Sequence, residues 1–386
     1  MALALHREPD QASSVAVRRL ALTDFRGYGS LRLETDPRPV VLTGPNGAGK
    51  TNLLEAISFL APGRGLRRAR LGEVDRIGAG PWSVVARLWS GSGVVEIRTA
   101  HVREGERGRR SVQIDGADAD SQAALAETLS VVWLTPAMDR LFQEGAGERR
   151  RFLDRLVLSN DPAHANRLAR YAHVLRQRAK LLRAGRFDPS WLGGLERQAA
   201  AAGVAIAAAR RDTVHALAAA RIEPPEGFPS PELALAGQVE DWLAERPALE
   251  IEERFAEALA QSRRQDAEAG TTAIGPHRSD LLVRDQESGC LAGDCSTGQQ
   301  KALLVSLVLA EVRLRAAAGE RQPILLLDEV AAHLDALRRA ALFEALDSLG
   351  VQAWLTGTDA ATFAPLGERA QFFFVRNATL QRHDPS

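Results

Sequence analysis

The chain has 386 residues, 45% hydrophobic and 25% charged, and its 49 basic side chains balance 49 acidic ones. No apolar run approaches the roughly 20 residues needed to span a bilayer, and Met1 to Val15 lack the apolar core and cleavage site of a secretory signal, so the reading is a cytoplasmic protein with a disordered arm over 1–15. Cys290 and Cys295 are the only cysteines, which excludes a disulfide framework and a four-ligand zinc site.

At about 100–200 residues per domain the chain holds two domains, or one large domain with an insertion. Val15 to Phe25 and Leu31 to Glu34 read as strands joined by the turn Arg26-Gly27-Tyr28-Gly29. Pro39 to Thr43 is a short buried strand, Gly44 to Gly49 a glycine-rich loop, and Lys50 to Leu60 a helix. Trp82 to Trp89, Val94 to Ala100 and Ser111 to Asp115 alternate at period two, which implies an antiparallel β layer. Val131 to Thr135 is one further apolar strand.

From Gly147 to Gly270 the sequence is rich in Ala, Leu and Arg at helical spacing and gives no strand signal. It reads as a mostly helical inserted arm of two long antiparallel helices, over 147–270, in a head formed by 16–146 and 271–386. A Pro-rich break over 224–231 divides it. Between Pro136 and Arg186 there are twelve basic residues against five acidic ones, whereas between Ile222 and Glu268 there are four against twelve. Net neutrality therefore hides a basic and an acidic half, and it excludes only a uniformly basic surface. After Gly270 the α/β pattern returns: strand Asp280 to Asp285, helix Gly298 to Ala318, buried strand Ile324 to Leu327, helix Asp335 to Leu349, and strands Val351 to Thr356 and Phe372 to Val375.

Gly44-Pro45-Asn46-Gly47-Ala48-Gly49-Lys50-Thr51 fits the G-x-x-x-x-G-K-[ST] phosphate loop in its proper context, strand before and helix after. Backbone N–H groups and the helix N-terminus would cradle phosphates, Lys50 would reach the β- and γ-phosphates of ATP, and Thr51 would serve Mg²⁺. Such a loop needs an acid at the end of a buried strand. Asp328 and Glu329, after Ile324 to Leu327, supply one carboxylate for Mg²⁺ and one to polarise the attacking water. The 278 positions from Lys50 to Asp328 are far more than small GTPases or nucleotide kinases use. Ser296-Thr297-Gly298-Gln299-Gln300, before that strand, resembles the Leu-Ser-Gly-Gly-Gln signature of ABC-type ATPases, which contacts the γ-phosphate held by a partner subunit.

With Leu20-x-Leu22-x-x-Phe25-Arg26-x-Tyr28, Glu148 to Asp154, Gly275 to Leu281, Gly298 to Lys301 and Leu334-Asp335, these motifs resemble the RecF family of bacterial recombination-repair ATPases, relatives of SMC heads. The resemblance runs from about Val17 to the C-terminal strands. It implies an α/β ABC/SMC-type P-loop head, with the antiparallel layer and helical arm above. It also implies slow ATP hydrolysis, an ATP-dependent homodimer, binding to gapped or junction DNA, and RecO and RecR as partners in RecA loading. Carried over by position, Gly44 to Thr51 bind ATP, Thr51 and Asp328 serve Mg²⁺, and Glu329 with Lys50 is catalytic. Ser296 to Gln300 reach across the dimer, and Asp335 lies in the loop that couples the two sites.

Arg64, Arg67, Arg68, Arg70, Arg149, Arg150 and Arg151 are candidate DNA contacts, with a solvated or bracing role as the alternative. Aromatic residues make up 5% of the chain, so duplex backbone contact is more natural than base stacking. His277 and Arg278 fit a structural or interface role. The competing reading, the ATPase subunit of an ABC transporter, conflicts with the long insert and with the lack of a switch histidine near Thr356-Gly357-Thr358-Asp359.

Overall fold

The computed structural model describes residues 15–90, 93–103, 108–185, 188–220, 223–331 and 334–383, so the expected arm over 1–15 lies, except for Val15, outside the described residues. The chain divides into two compact units, Met1–Asp139 with Ile222–Pro229 and Thr297–Ser386, and Arg140–Arg221 with Ser230–Ser296.

Along the chain the strands are β1 (Ala16–Phe25), β2 (Tyr28–Glu34), β3 (Val40–Thr43), β4 (Ser83–Ser90), β5 (Gly93–Val102), β6 (Arg109–Ile114), β7 (Ala117–Asp118) and β8 (Val131–Leu134). They continue with β9 (Pro231–Ala236), β10 (Asp280–Asp285), β11 (Ile324–Leu327), β12 (Ala353–Gly357), β13 (Gln371–Arg376) and β14 (Thr379–Arg382). The helices are α1 (Lys50–Ser58), α2 (Leu71–Val74), α3 (Ala124–Thr128), α4 (Ala146–Asn160), α5 (His164–Arg183) and α6 (Pro189–Ala219). After them come α7 (Gln238–Glu245), α8 (Ala248–Gln261), α9 (Arg263–Ala269), α10 (Thr297–Ala317) and α11 (Ala336–Leu349).

The first unit holds two sheets. One is antiparallel, ordered β2-β1-β4-β5-β6-β7, and corresponds to the expected β layer. The other, β14-β13-β3-β12-β11-β8, is parallel except for the edge strand β14. Three of its inner strands, β3, β11 and β12, are buried along their whole length, as short, mostly apolar runs in the middle of a parallel sheet must be. Because β11 lies beside β12, and β12 beside β3, the ends of three strands far apart in sequence meet at one edge. Phe25, Phe59 and Trp82 lock the antiparallel layer to α1, with ring centroids 4.9 to 5.9 Å apart and the Trp82 indole donating to the Leu71 carbonyl.

The second unit is built on α5 and the 31-residue α6, and α8 packs on α6. Asp188 caps α6 by accepting from the Ser190 and Trp191 amides, with Pro189 at the first helical position. Gly203 allows the close approach inside this unit: a Cβ there would lie 2.7 Å from the Phe255 ring. Among the described residues six helices, α4 to α9, form in this unit where the sequence suggests two.

A strand also forms where none is expected. Pro231–Ala236 pairs antiparallel with β10, from Asp280 opposite Ala236 to Asp285 opposite Pro231. Its Leu and Ala residues carry helical propensity, and only the partner supplied from 280–285 makes the extended form favourable. Pro231 is tolerated because it opens the strand.

Two buried charge clusters hold this unit. Arg178 is fully buried and donates to Glu196 at 3.1 Å, Asp266 at 2.6 Å and the Leu259 carbonyl at 2.6 Å. Arg210 forms a two-pronged pair with Asp154 at 2.8 and 2.9 Å, and His164 adds a third bond to the same carboxylate at 2.8 Å. Burial alone would raise the Asp154 pKa, but the hydrogen bonds and charges of His164 and Arg210 outweigh it and hold it below the ordinary carboxylate value.

Candidate functional site

The loop between β3 and α1 is shaped by backbone conformation. Gly44, Gly47 and Gly49 have φ of 141°, 77° and 112°, all in the region that side chains disfavour. At Gly44 the reason is also steric, since a Cβ would lie 2.2 Å from the Val375 carbonyl oxygen. Pro45, Asn46 and Gly47 are exposed, while Gly44, Ala48 and Lys50 are buried. The Lys50 ammonium folds back on its own loop and donates to the Gly44 and Pro45 carbonyls at 2.6 and 3.0 Å. Burial lowers its pKa, against the opposing pull of Glu329 and Asp328.

The sheet brings Asp328 to this loop. Thr51 donates its hydroxyl to Asp328 Oδ1 at 3.0 Å, across 277 residues of sequence. Thr356, fully buried at the end of β12, donates to the same oxygen at 2.8 Å and accepts from the Glu329 backbone N–H at 2.9 Å. Glu329 has φ of 55°, an uncommon and costly conformation for a residue with a side chain. Thr356 therefore holds both acids, one by its carboxylate and the other by its strained backbone. Burial raises the Asp328 pKa, the bonds from Thr356 and Thr51 pull it down, and the nearby Glu329 raises it again, leaving it above the ordinary value.

Sequence reading misses Thr356, because a threonine at a strand end has no pattern of its own. Thr356→Val keeps the shape and removes both bonds. It is expected to lower stability by about 1–3 kcal/mol, because the Glu329 N–H is left without its partner. Urea unfolding checks this, and Thr356→Ser is expected to restore most of the loss.

Lys301 is also missed as a site residue. Buried in α10, it places its ammonium 3.4 Å from Asp139, and burial lowers its pKa against the opposing pull of Asp139 and, after it, Glu329. Lys50 and Lys301 are two of only three lysines among 49 basic residues. Unlike the buried arginines of the second unit, each presents a compact point charge whose pKa responds readily to burial.

Of the signature residues, Ser296 to Gln299 are exposed and Gln300 is buried, with Thr297 opening α10. Asp335 is exposed and caps α11, accepting from the Arg338 amide at 2.8 Å. The candidate DNA arginines separate into groups. Arg149 forms a two-pronged pair with Asp280 at 2.7 Å, Arg150 donates to the Ser279 carbonyl, and Arg151 pairs with Glu148, all inside the second unit. Arg67 is tied to Asn52 at 2.8 Å and to Glu55 at 3.3 Å. Arg64, Arg68 and Arg70 are exposed on the loop after α1. His277 donates through Nε2 to the Thr272 carbonyl and accepts at Nδ1 from the Tyr171 hydroxyl, and burial lowers its pKa.

The donor set suits magnesium held through few protein ligands. Among the described residues no group of three or more His, Cys, Asp or Glu could hold a metal, whereas Thr51 and Asp328 face one another beside a phosphate loop. Mg²⁺ in such sites keeps water and substrate phosphates as its other ligands.

The model of the RecF/RecN/SMC N-terminal domain matches residues 16–381. The DNA replication and repair protein RecF of Allorhizobium ampelinum is 52% identical over 372 residues, covering 96% of this chain and 99% of that protein. The protein of the same name from Rhizobium etli is 51% identical over 364 residues, covering 94% and 97%. Among solved structures, that of the recombination mediator protein RecF with ATPrS in the RecFOR pathway aligns with a TM-score of 0.82 at 22% identity, over 96% of this chain and 99% of that one. The Smc head domain of Pyrococcus furiosus, bound to the C-terminal domain of ScpA, aligns at 0.53 and 15% identity over 96% of both chains.

Proposed function

Since the chain belongs to the RecF family of DNA replication and repair proteins, we propose that it is an ATP-gated DNA-binding ATPase that acts as a dimer of two heads. The observation that carries this reading is the meeting of Thr51, Asp328 and Thr356 beside the Lys50 loop, with Glu329 adjoining them. In this reading Gly44 to Thr51 bind the phosphates of ATP through backbone N–H groups. Lys50 leaves its loop carbonyls for the β- and γ-phosphates. Thr51 and Asp328 would hold Mg²⁺, which would supply charge neutralisation at the phosphate oxygens. Glu329 orients the attacking water and draws its proton as the bond to the γ-phosphorus forms and the bond to the ADP oxygen breaks.

The exposed Ser296 to Gln299 supply donors to the γ-phosphate of a second head, and Asp335 belongs to the same coupling. Hydrolysis would then release the dimer. DNA at gaps or single-strand/double-strand junctions is the substrate for the clamp, and RecO and RecR are its partners in loading RecA. The transporter alternative is not favoured: the family match speaks against it, and among the described residues no helix is long and apolar enough to cross a membrane.

Light scattering after size exclusion tests the gating. ATP with Mg²⁺ is expected to convert the protein to a dimer, and Ser296→Arg is expected to keep ATP binding and lose the dimer. A dimer of equal stability in Ser296→Arg would overturn the cross-subunit signature.

A further inference from the structure

On the antiparallel side of the first unit is an open cleft of about 1030 Å³, beyond the end of α1 remote from the phosphate loop. The nine residues of α1 span about 13 Å between its phosphate-loop end and the end that leads into the loop beside the cleft. One wall is the loop after α1, with Arg64 and Arg70; the other is the end of the β5–β6 pair where Val102 lies opposite Arg109, with Arg103 and Arg109. All four are exposed. Arg110 lines the same cleft and is nearly buried.

Among the described residues that line the cleft, five arginines face two carboxylates, and both carboxylates are already engaged. Asp75 binds His101 at 2.8 Å and Arg103 at 3.1 Å, and Glu73 accepts the Arg70 backbone N–H at 2.9 Å. Arg110 has no carboxylate partner among the described residues. It donates to Thr99 at 2.7 Å, to the Gly63 carbonyl at 2.8 Å, and to the Phe59 and Ala61 carbonyls. These are neutral acceptors, and burial lowers its pKa to about 9. A buried cation without an anion is costly. The bonds to Phe59, Ala61 and Gly63 fix the start of the loop that presents Arg64. Arg67, bound to Glu55 of α1, fixes its middle.

We infer that this cleft is a binding site for the phosphodiester backbone of DNA, with Arg64, Arg70 and Arg109 as the contacting side chains and Arg110 as the buried residue that shapes it. Three observations favour a polymer backbone. The cleft is open. It holds no Phe, Tyr or Trp on which a base could stack, and its one imidazole is bound to Asp75. Its donors are guanidiniums, whose planar forks match phosphate oxygens. The inference rests on the reading of the chain as a DNA-binding ATPase and gives that reading a location which α1 joins to the nucleotide site.

Fluorescence anisotropy with a labelled gapped duplex and ATP tests it. Arg64→Glu/Arg70→Glu is expected to weaken binding at least tenfold at moderate salt. The slope of log affinity against log salt should become shallower by about two, since each neutralised phosphate contributes about 0.9. Arg376→Glu/Arg382→Glu, which reverses two exposed arginines of β13 and β14, controls for overall charge. Equal binding by the unaltered protein and the cleft variant would overturn the cleft and leave the DNA reading intact. An equal loss in the control variant would likewise overturn it. If the unaltered protein binds no DNA, the DNA reading itself fails. Inorganic tripolyphosphate, titrated calorimetrically with ATP and Mg²⁺ saturating, forms the last arm. Saturable binding that the cleft variant loses, with DNA affinity unchanged, would assign the cleft to small polyphosphates instead.

Discussion

Glu329→Gln is expected to lower ATP turnover about 10²–10⁴-fold, the range for loss of a positioned general base, with ATP affinity within a few-fold of the unaltered protein. Glutamine fills the same space and keeps the strained backbone that Thr356 holds, so the phosphate loop and Asp328 are undisturbed. What is lost is the negative charge beside Lys50 and Lys301, both of which respond to Glu329 electrostatically. The loss corresponds to about 3–5 kcal/mol of barrier, larger than any single binding contact in the site supplies. Single-turnover phosphate release measures the rate, and a fluorescent ATP analogue measures binding. Trapped ATP is also expected to make the dimer persist. Unchanged turnover in this variant would move the role of orienting water to another group.

The second large effect concerns the second unit. Arg178→Met is expected to lower its stability by about 3–5 kcal/mol, the cost of leaving buried charge without its partner. Arg178 is fully buried, and the side chains of Glu196 and Asp266 are each 1% exposed. Arg263 still pairs with Glu196 after the change, whereas Asp266 keeps only the Ser262 hydroxyl at 2.8 Å and the Ala273 amide at 2.9 Å. The residual penalty therefore falls mainly on Asp266. Arg178 also carries the Leu259 carbonyl, so its loss loosens the end of α8. Urea unfolding followed by the fluorescence of Trp242, which packs in this unit's core, reports the change. Arg178→Lys keeps one charge but cannot reach Glu196, Asp266 and Leu259 together, and an intermediate loss is expected. A midpoint unchanged by Arg178→Met would show that the two acids are satisfied without it.

The sequence by itself determined the candidate residues of the proposed nucleotide site. The phosphate loop is read from consecutive residues, because the glycines, Lys50 and Thr51 must be adjacent to wrap a phosphate group. Asp328 and Glu329 are read from the apolar run before them, because a fully buried parallel strand has no polar alternation. Period and turn chemistry likewise gave nearly every strand of the head, and the order of motifs gave the family.

Only the tertiary structure decided which partners those residues meet. Thr356 acts on Asp328 and Glu329 because β12 lies beside β11, a pairing that no local pattern encodes. Pro231–Ala236 is a strand because β10 completes it, against its own propensity. The seven candidate DNA arginines look alike in sequence, yet Arg149, Arg150 and Arg151 go to acids and carbonyls of their own unit, while Arg64 and Arg70 share a cleft with Arg103 and Arg109. The physical reason is the same in each case. A local motif is fixed by backbone geometry over a few residues. The partner of a charge is fixed by long-range packing, and identical guanidiniums differ only in what the fold sets beside them.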